Sequence, residues 1–337
     1  MIYDFIVIGG GVAGSSLSYF LNRSGYSVLL LEKEKLCAGG SGTAGAFLNP
    51  KVGKKGPLND LVNSAMEFSI KLYKSQFSDL FYPAPLFHYG DNDEVIKIEN
   101  AGVVDPIPLL NRFTENVDVE FIEVKEPTFD GENWIVENFK SKNIFITTGA
   151  YPNFLKEQSI HIRPVWGQRI DIELDRELTE IRHREVSISQ TVNGYVRIGA
   201  THHRDIFSRD MSEEDSREIL KKASFFSEIE NAKVVKSYGG VRSASIDYFP
   251  LIGKVPNTEE SLKNYPTVKR GAKVKPEDLS YFPNLFMFSG LGGYGYSLSP
   301  YLANSFVENF KRGEFGDKQV EPYRFLWRQI KRGTLFT

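Results

Sequence analysis

A mixed α/β fold, with a parallel nucleotide-binding sheet interrupted by an inserted antiparallel sheet, is predicted by three features of this 337-residue chain. A glycine-rich turn directly follows an apolar run near the N-terminus. Further apolar β-type runs near residues 145 and 285 each end in small residues. Between them lie segments that alternate with the period of half-buried strands.

The first element sets the frame. Phe5-Ile6-Val7-Ile8 reads as a strand buried on both faces, and Gly9, Gly11 and Gly14 form a G-x-G-x-x-G turn into a helix through Ser15–Leu21. Gly9 permits the tight turn, Gly11 lets backbone approach a pyrophosphate, and Gly14 allows close helix–strand packing. The backbone around Val12 and Ala13 then offers N–H groups and the positive end of the helix dipole to phosphate. Tyr26–Leu31 supplies a second strand. Glu32 ends it at the spacing of a ribose-binding carboxylate, followed by Lys33. Together these predict a Rossmann-like dinucleotide-binding domain.

The following elements take their assignments from pattern. Residues 38–50 are rich in small residues, and Ser41 and Gly42 suit close approach to a second part of the cofactor. Residues 58–80 carry helical spacing, with Asn59 or Asp60 as the expected N-cap. The aromatic stretch 81–104 predicts short strands, and Pro106 opens a short helix. Residues 117–124 and 133–137 predict strands around the Asp130-Gly131 turn. Residues 143–147 predict a buried strand ending in Thr148-Gly149-Ala150. Between Pro164 and Gly239 the β-like runs are 169–174, 185–190 and 195–200, interrupted by a helix over 212–226. A strand at 285–289 leads into Gly290-Leu291-Gly292-Gly293-Tyr294-Gly295 and a helix over 300–310. This order predicts a nucleotide domain in three pieces, 1–80, 105–160 and 240–337. A substrate domain is predicted from 81–104 and 161–239.

Composition narrows the class. A net charge of −2 gives no global attraction to nucleic acid, although local patches are compatible with it. The single cysteine, Cys37, excludes an intrachain disulfide and suits a reducing compartment. No apolar run reaches the roughly 20 residues of a membrane helix. The early start of the nucleotide strand leaves no room for a signal peptide, so a cytoplasmic protein without membrane contact is expected.

Several blocks carry a family resemblance: the opening fingerprint, SG-x4-FLNP at 41–50, GVVDP at 102–106, ITTGA at 146–150, GVRSASIDYFPLIGKVP at 240–256 and FSGLGGYGYSLSP at 288–300. In this order the chain resembles the D-amino-acid/glycine/sarcosine oxidase superfamily of FAD enzymes over nearly its full length. Its C-terminal third is similar to the FAD-dependent domain of the bifunctional enzymes that make 5-methylaminomethyl-2-thiouridine at the tRNA wobble position. The resemblance implies non-covalent FAD and oxidative removal of the carboxymethyl group from carboxymethylaminomethyluridine. Nothing in this sequence corresponds to the methyltransferase domain often fused in those enzymes, so methyl transfer would require a separate protein.

The site residues follow from that reading. Arg242 stands where the amino-acid oxidases hold the substrate carboxylate, and its planar guanidinium can grip both oxygens. The alternative for Arg242 is a structural pair with Asp247, whose expected role is to fix its loop. Gly290, Leu291, Gly292, Gly293, Tyr294 and Gly295 are expected to wrap the pyrimidine edge of the isoalloxazine, backed by the helix dipole. Tyr294 and Tyr296 are candidates to line the site or to pack beneath it. Tyr195 is carried over as a carboxylate contact. Thr148 and Gly149 are expected to support FAD.

Other residues read as bystanders or as a nucleic-acid surface. Cys37 reads as a buried thiol rather than a covalent flavin anchor, and His202-His203 as a turn rather than a metal pair. Basic clusters at Lys51/Lys54/Lys55, Lys269/Arg270/Lys273/Lys275 and Arg324/Arg328/Lys331/Arg332 are candidate phosphate contacts. The last cluster, flanked by Tyr323, Phe325 and Trp327, is the expected tRNA surface; no DNA role is expected. Two other readings stay open: a small-molecule oxidase for glycine, sarcosine or a D-amino acid, and a flavin-stabilised tRNA-binding module.

Overall fold

A computed structural model describes residues 1–337 apart from 54, 91, 93, 152–156, 158, 208–209, 230–231, 271, 273, 315 and 333–337, with the backbone alone at Arg270. Lys54 and Lys273, expected in basic clusters, thus lie outside the described residues.

The strand Ile2–Ile8 lies between Phe139–Ile146 and Val28–Glu32, parallel to both. Tyr281–Ser289 extends the sheet beyond the former and Asp118–Phe121 beyond the latter, again in parallel. Antiparallel Leu251–Pro256 closes one edge. The apolar run of the first strand is explained by burial on both faces. Phe5 and Val7 join the core beneath the helices Val12–Arg23, Pro57–Gln76 and Gly295–Arg312, whereas Ile6 and Ile8 pack with Trp134, Val136 and Val255 on the other side.

A second sheet runs in the order 203–204, 162–173, 196–199, 187–188, 181–183, 86–89, 95–98, with Lys233–Ser245 paired along the free edge of Ile162–Glu173. The helix Glu213–Ala223 packs against it through Ile219 and Ala223. Ser212 caps that helix, accepting from Asp215 N–H at 3.3 Å. A third small sheet joins 47–48, 102–104 and 81–83.

Several expectations are corrected. The long helix begins at Pro57 with Gly56 at its N-cap, so neither Asn59 nor Asp60 caps it; proline occupies the first turn, where its missing N–H is not needed. The partner across the Asp130-Gly131 turn is Thr128–Phe129, because 118–121 is taken by the parallel sheet. The last long helix starts at Gly295 rather than near Pro300. Pro300 deprives the Tyr296 carbonyl of its helical donor, and the Tyr73 hydroxyl donates there instead at 2.7 Å. The expected domain boundary at residue 240 falls inside the strand Lys233–Ser245, which runs unbroken through Arg242.

The C-terminal basic segment is also corrected. Arg324 grips both Asp247 oxygens at 3.0 and 3.1 Å and donates to the Phe249 carbonyl at 2.8 Å, so it is a structural pair rather than a phosphate contact. Asp247 fixes its loop as expected, accepting from Ser245 Oγ and Phe249 N–H, but through Arg324 and not Arg242. Phe325 is buried under the first sheet, Tyr323 is buried in a separate cluster with Leu262 and Leu326, and Trp327 packs against that second cluster, so these rings are not a stacking platform. Lys331 and Arg332 remain exposed. Among the described residues, no helix is long and apolar enough to cross a membrane.

Candidate active site

A cleft of about 870 Å³ lies between the two large sheets. One wall runs from Glu32 and Lys33, past Gly9, Gly11, Val12 and Ala13, to Thr148 and Gly149 and on to Leu291–Gly295. The other comes from the second sheet and carries Gly167, Arg169, His202 and Arg242.

The glycine turn is held from three sides. Glu32 accepts from Gly10 N–H at 2.7 Å and from Glu34 N–H at 3.0 Å, which fixes its carboxylate at the end of the second strand. Ser41 Oγ accepts from Val12 N–H at 3.0 Å, so this hydroxyl braces the turn. Gly9 has φ +113°, and a Cβ on Gly14 would lie 2.0 Å from the Gly9 carbonyl oxygen. Gly14 therefore spaces the helix and stays off the cleft, as its packing role requires.

Gly42 and Gly290 also stand off the cleft lining, contrary to expectation. A Cβ on Gly42 would meet the Cys37 carbonyl at 2.2 Å, and one on Gly290 would meet Ser245 Cβ at 3.2 Å. Both glycines therefore serve chain-to-chain approach.

The tyrosines separate. Tyr294 lines the cleft with Lys51 Nζ 5.0 Å from its ring centre. Tyr296 borders the cleft but is buried, donating to the Ser41 carbonyl at 2.9 Å and touching Cys37 Sγ at 3.8 Å, so it locks one loop to another. Burial pushes its phenol well above the ordinary value. Tyr195 is corrected: it is 39% exposed, bridges Val192 at a turn, and does not line the cleft. Cys37 is a free, buried thiol, raised to about 12 by desolvation.

Two arginines line the cleft, and their surroundings assign them different roles. Arg169 already has an anion: its Nη1 lies 2.5 Å from Asp171, its Nε donates to the Thr43 carbonyl at 2.9 Å, and it lies 3.9 Å over the Tyr238 ring. Arg242 has no carboxylate within ion-pairing distance among the described residues. Its Nη1 donates to the Thr201 carbonyl at 3.1 Å, and burial lowers its pKa to about 10, leaving it cationic at neutral pH. A desolvated cation without a counter-ion favours a bound anion. His202, at the cleft edge, is held neutral, since desolvation and then the Arg242 charge lower it to about 4. His203 turns away to Asp215 at 2.9 Å, and the described residues contain no cluster suited to a metal.

The pairing of Ile162–Glu173 with Lys233–Ser245 sets Arg242 opposite Val165, with Gly167 two residues on. A Cβ on Gly167 would lie 2.1 Å from Arg242 Nη1. Gly167→Ala is therefore expected to displace the guanidinium while leaving the nucleotide wall intact. Steady-state kinetics should show a raised KM, with bound flavin measured by absorbance unchanged. Unaltered KM would contradict this packing.

The sequence reading missed Gly167 and Arg169, as well as Asn49, His88, His183 and Ser187, all on the cleft wall. The histidines carried a faint signal, since each lies at or next to the end of a short β-like run.

The residues present fit FAD. The cleft follows the order of the dinucleotide, from a fixed carboxylate past the glycine turn to the Leu291–Gly295 loop. Thr148 Oγ1 is buried on its wall with no hydrogen-bond partner. A Rossmann-type sheet, an inserted sheet and a cleft between them that carries the Arg242 guanidinium define an FAD-dependent oxidoreductase. A profile of the FAD dependent oxidoreductase family matches residues 4–103 and 95–308, and the chain belongs to that family. FAD is its cofactor.

Among its relatives is the tRNA 5-methylaminomethyl-2-thiouridine biosynthesis bifunctional protein of Legionella pneumophila, 22% identical over 97% of this chain and 58% of that protein. The protein of the same name from Campylobacter fetus is 25% identical over 98% and 60%. The chain thus spans about three-fifths of these relatives' length. Glycine oxidase from Geobacillus kaustophilus has the same fold, with a TM-score of 0.75 at 18% identity, covering 93% of this chain and 95% of that one. L-proline dehydrogenase from P. horikoshii gives 0.77 at 16%, covering 98% of each.

Proposed function

We propose that this chain oxidatively removes the carboxymethyl group from carboxymethylaminomethyluridine at the tRNA wobble position. Bound FAD would supply the two-electron oxidation; R–NH–CH2–COO⁻ would become an imine, which water would split into R–NH2 and glyoxylate. The observation that carries the reading is Arg242, a desolvated guanidinium on the cleft wall with no counter-ion among the described residues. Its two-pronged grip orients the methylene, and fixed orientation is the larger part of what a protein adds to such a reaction. Arg169 and Asp171 neutralise each other and keep a second anion from competing for the wall.

The amine nitrogen must be neutral, so that its lone pair can form the C=N bond as the neighbouring methylene gives up hydride. A strong general base is not needed, because the ammonium proton need only leave on binding. The relatives named for tRNA 5-methylaminomethyl-2-thiouridine biosynthesis support a wobble-uridine substrate. Lys51 on the cleft, with exposed Lys331 and Arg332, supplies the cations offered to the RNA backbone, whereas Lys33 pairs with Glu34 beside the nucleotide wall.

Nucleoside analysis of tRNA from a strain lacking the protein is the test. Carboxymethylaminomethyluridine is expected to accumulate, and purified holoenzyme should convert it while releasing glyoxylate. An unchanged wobble profile, together with peroxide production from free glycine or sarcosine, would replace this reading with a small-molecule amine oxidase.

A further inference from the structure

The cleft wall holds a polar group that the carboxylate grip does not use. His88 and His183 stand directly opposite each other in the parallel pair 86–89 and 181–183, with their rings 5.1 Å apart at 80°. His183 Nδ1 lies 2.9 Å from Ser187 Oγ, and Asn49 Nδ2 donates to the same hydroxyl at 3.3 Å. All four residues line the cleft.

Two atoms of this group are buried without a hydrogen-bond partner among the described residues: His88 Nδ1 and Asn49 Oδ1. Buried polar atoms left without a hydrogen-bond partner are destabilising, so such a pair at a binding wall calls for a ligand that satisfies it. If the Asn49 amide is turned over, its Nδ2 becomes the orphan and the demand persists.

The ligand's chemistry follows from the charge. Desolvation lowers His183, and the neighbouring His88 adds to the effect, so the His183 imidazole is neutral at physiological pH. Glu185, exposed on the same wall, adds negative charge. Neither feature favours a carboxylate or a phosphate. A neutral imidazole and an amide instead match an uncharged group that presents a donor beside an acceptor.

Position separates this group from the carboxylate grip. From the strand 162–173, which passes under the Arg242 guanidinium, the sheet crosses 196–199 and 187–188 to reach 181–183. Three strand spacings, about 14 Å, lead to His183, and a fourth, about 19 Å in all, leads to His88 on 86–89. A substrate spanning the two places needs its carboxylate at one end of a short linker and its neutral edge at the other.

We propose that Asn49, His88, His183 and Ser187 form a base-recognition subsite for the imide edge of a pyrimidine, its N3–H donor and adjacent carbonyl acceptor. This rests on the proposed uridine substrate and names the part of it that is read. A free glycine or sarcosine has no such edge, so the subsite selects for a base-bearing amine.

The test uses holoenzyme and equilibrium binding, followed by flavin absorbance, of 5-aminomethyluridine and its N3-methyl counterpart. The parent protein is expected to favour the unmethylated nucleoside at least tenfold. His88→Phe, which keeps ring volume, is expected to bring the ratio near one while leaving the affinity for acetate within about twofold. Equal binding of both nucleosides by the parent overturns the subsite, as does no binding of either. A folded, yellow His88→Phe protein that keeps the full preference overturns it too. Should His88→Phe fail to fold, the parent's ratio alone decides. Preference without turnover of tRNA leaves the subsite standing and removes the proposed reaction; turnover without preference does the reverse.

Discussion

Arg242→Ala protein is expected to purify yellow, with the parent's flavin content, and to lose on the order of 10²- to 10³-fold in kcat/KM. Removing one partner of a desolvated, hydrogen-bonded charge pair costs about 2–5 kcal/mol, and each 1.4 kcal/mol is tenfold in rate. In this cleft the loss falls on orientation, because Arg242 is the cleft arginine without an anion of its own; Arg169 is held by Asp171 and stacked on Tyr238. Flavin is retained because the glycine turn, Glu32, Thr148 and the Leu291–Gly295 loop lie on the opposite wall. Arg242→Lys keeps the charge but not the planar fork, and should recover only part of the loss. A variant within about threefold of the parent would remove Arg242 from the carboxylate role, since even a single charged hydrogen bond is worth roughly 1.5–3 kcal/mol. Loss of yellow colour would instead mean that Arg242 supports the cofactor.

The glycine turn was legible because its information is local. Strand, turn, helix and Glu32 lie within the first 32 residues, and each residue type answers a backbone demand made by its immediate neighbours. Arg242 was legible as a residue but not as part of a strand. Lys233–Ser245 mixes polar and small residues along an edge paired to a distant segment, so it shows no period that a sequence scan can register. Tyr195 failed for a related reason: the run 195–200 is a strand only from Val196, which leaves the tyrosine on the turn before it.

The C-terminal cluster illustrates a different limit. Arg324, Phe325 and Tyr323 have the composition of a nucleic-acid surface, yet an acid 77 residues away turns the arginine inward and the aromatics close the core beneath it. Charge counted along a sequence does not reveal the partner that neutralises it. The histidine pair is the same lesson reversed. His88 and His183 are 95 positions apart, and only the parallel register sets them face to face.

Gly14→Ala is expected to be the most damaging single-methyl change in the chain, giving colourless protein that melts several degrees lower. The added carbon would lie 2.0 Å from the Gly9 carbonyl oxygen and 2.6 Å from Thr147 Oγ1. Neither neighbour can yield. Gly9 is fixed at φ +113°, and Thr147 donates to the Ile8 and Gly9 carbonyls at 2.8 and 2.9 Å. The helix must therefore back away from the strand, at a cost of about 1–3 kcal/mol for overpacking alone. That shift moves the N–H groups that would face the phosphates, so cofactor affinity falls with packing, and losing the ligand removes its own share of stability. Gly56→Ala is the matched control. It has extended backbone at φ 171° and nothing within 4 Å of the new carbon, so its melting temperature and flavin content should match the parent. Flavin absorbance and thermal melts on the two variants test the argument directly. A yellow Gly14→Ala protein with the parent's melting temperature would show that the helix can retreat without disturbing the phosphate turn. The same result would detach the glycine spacing from the FAD site.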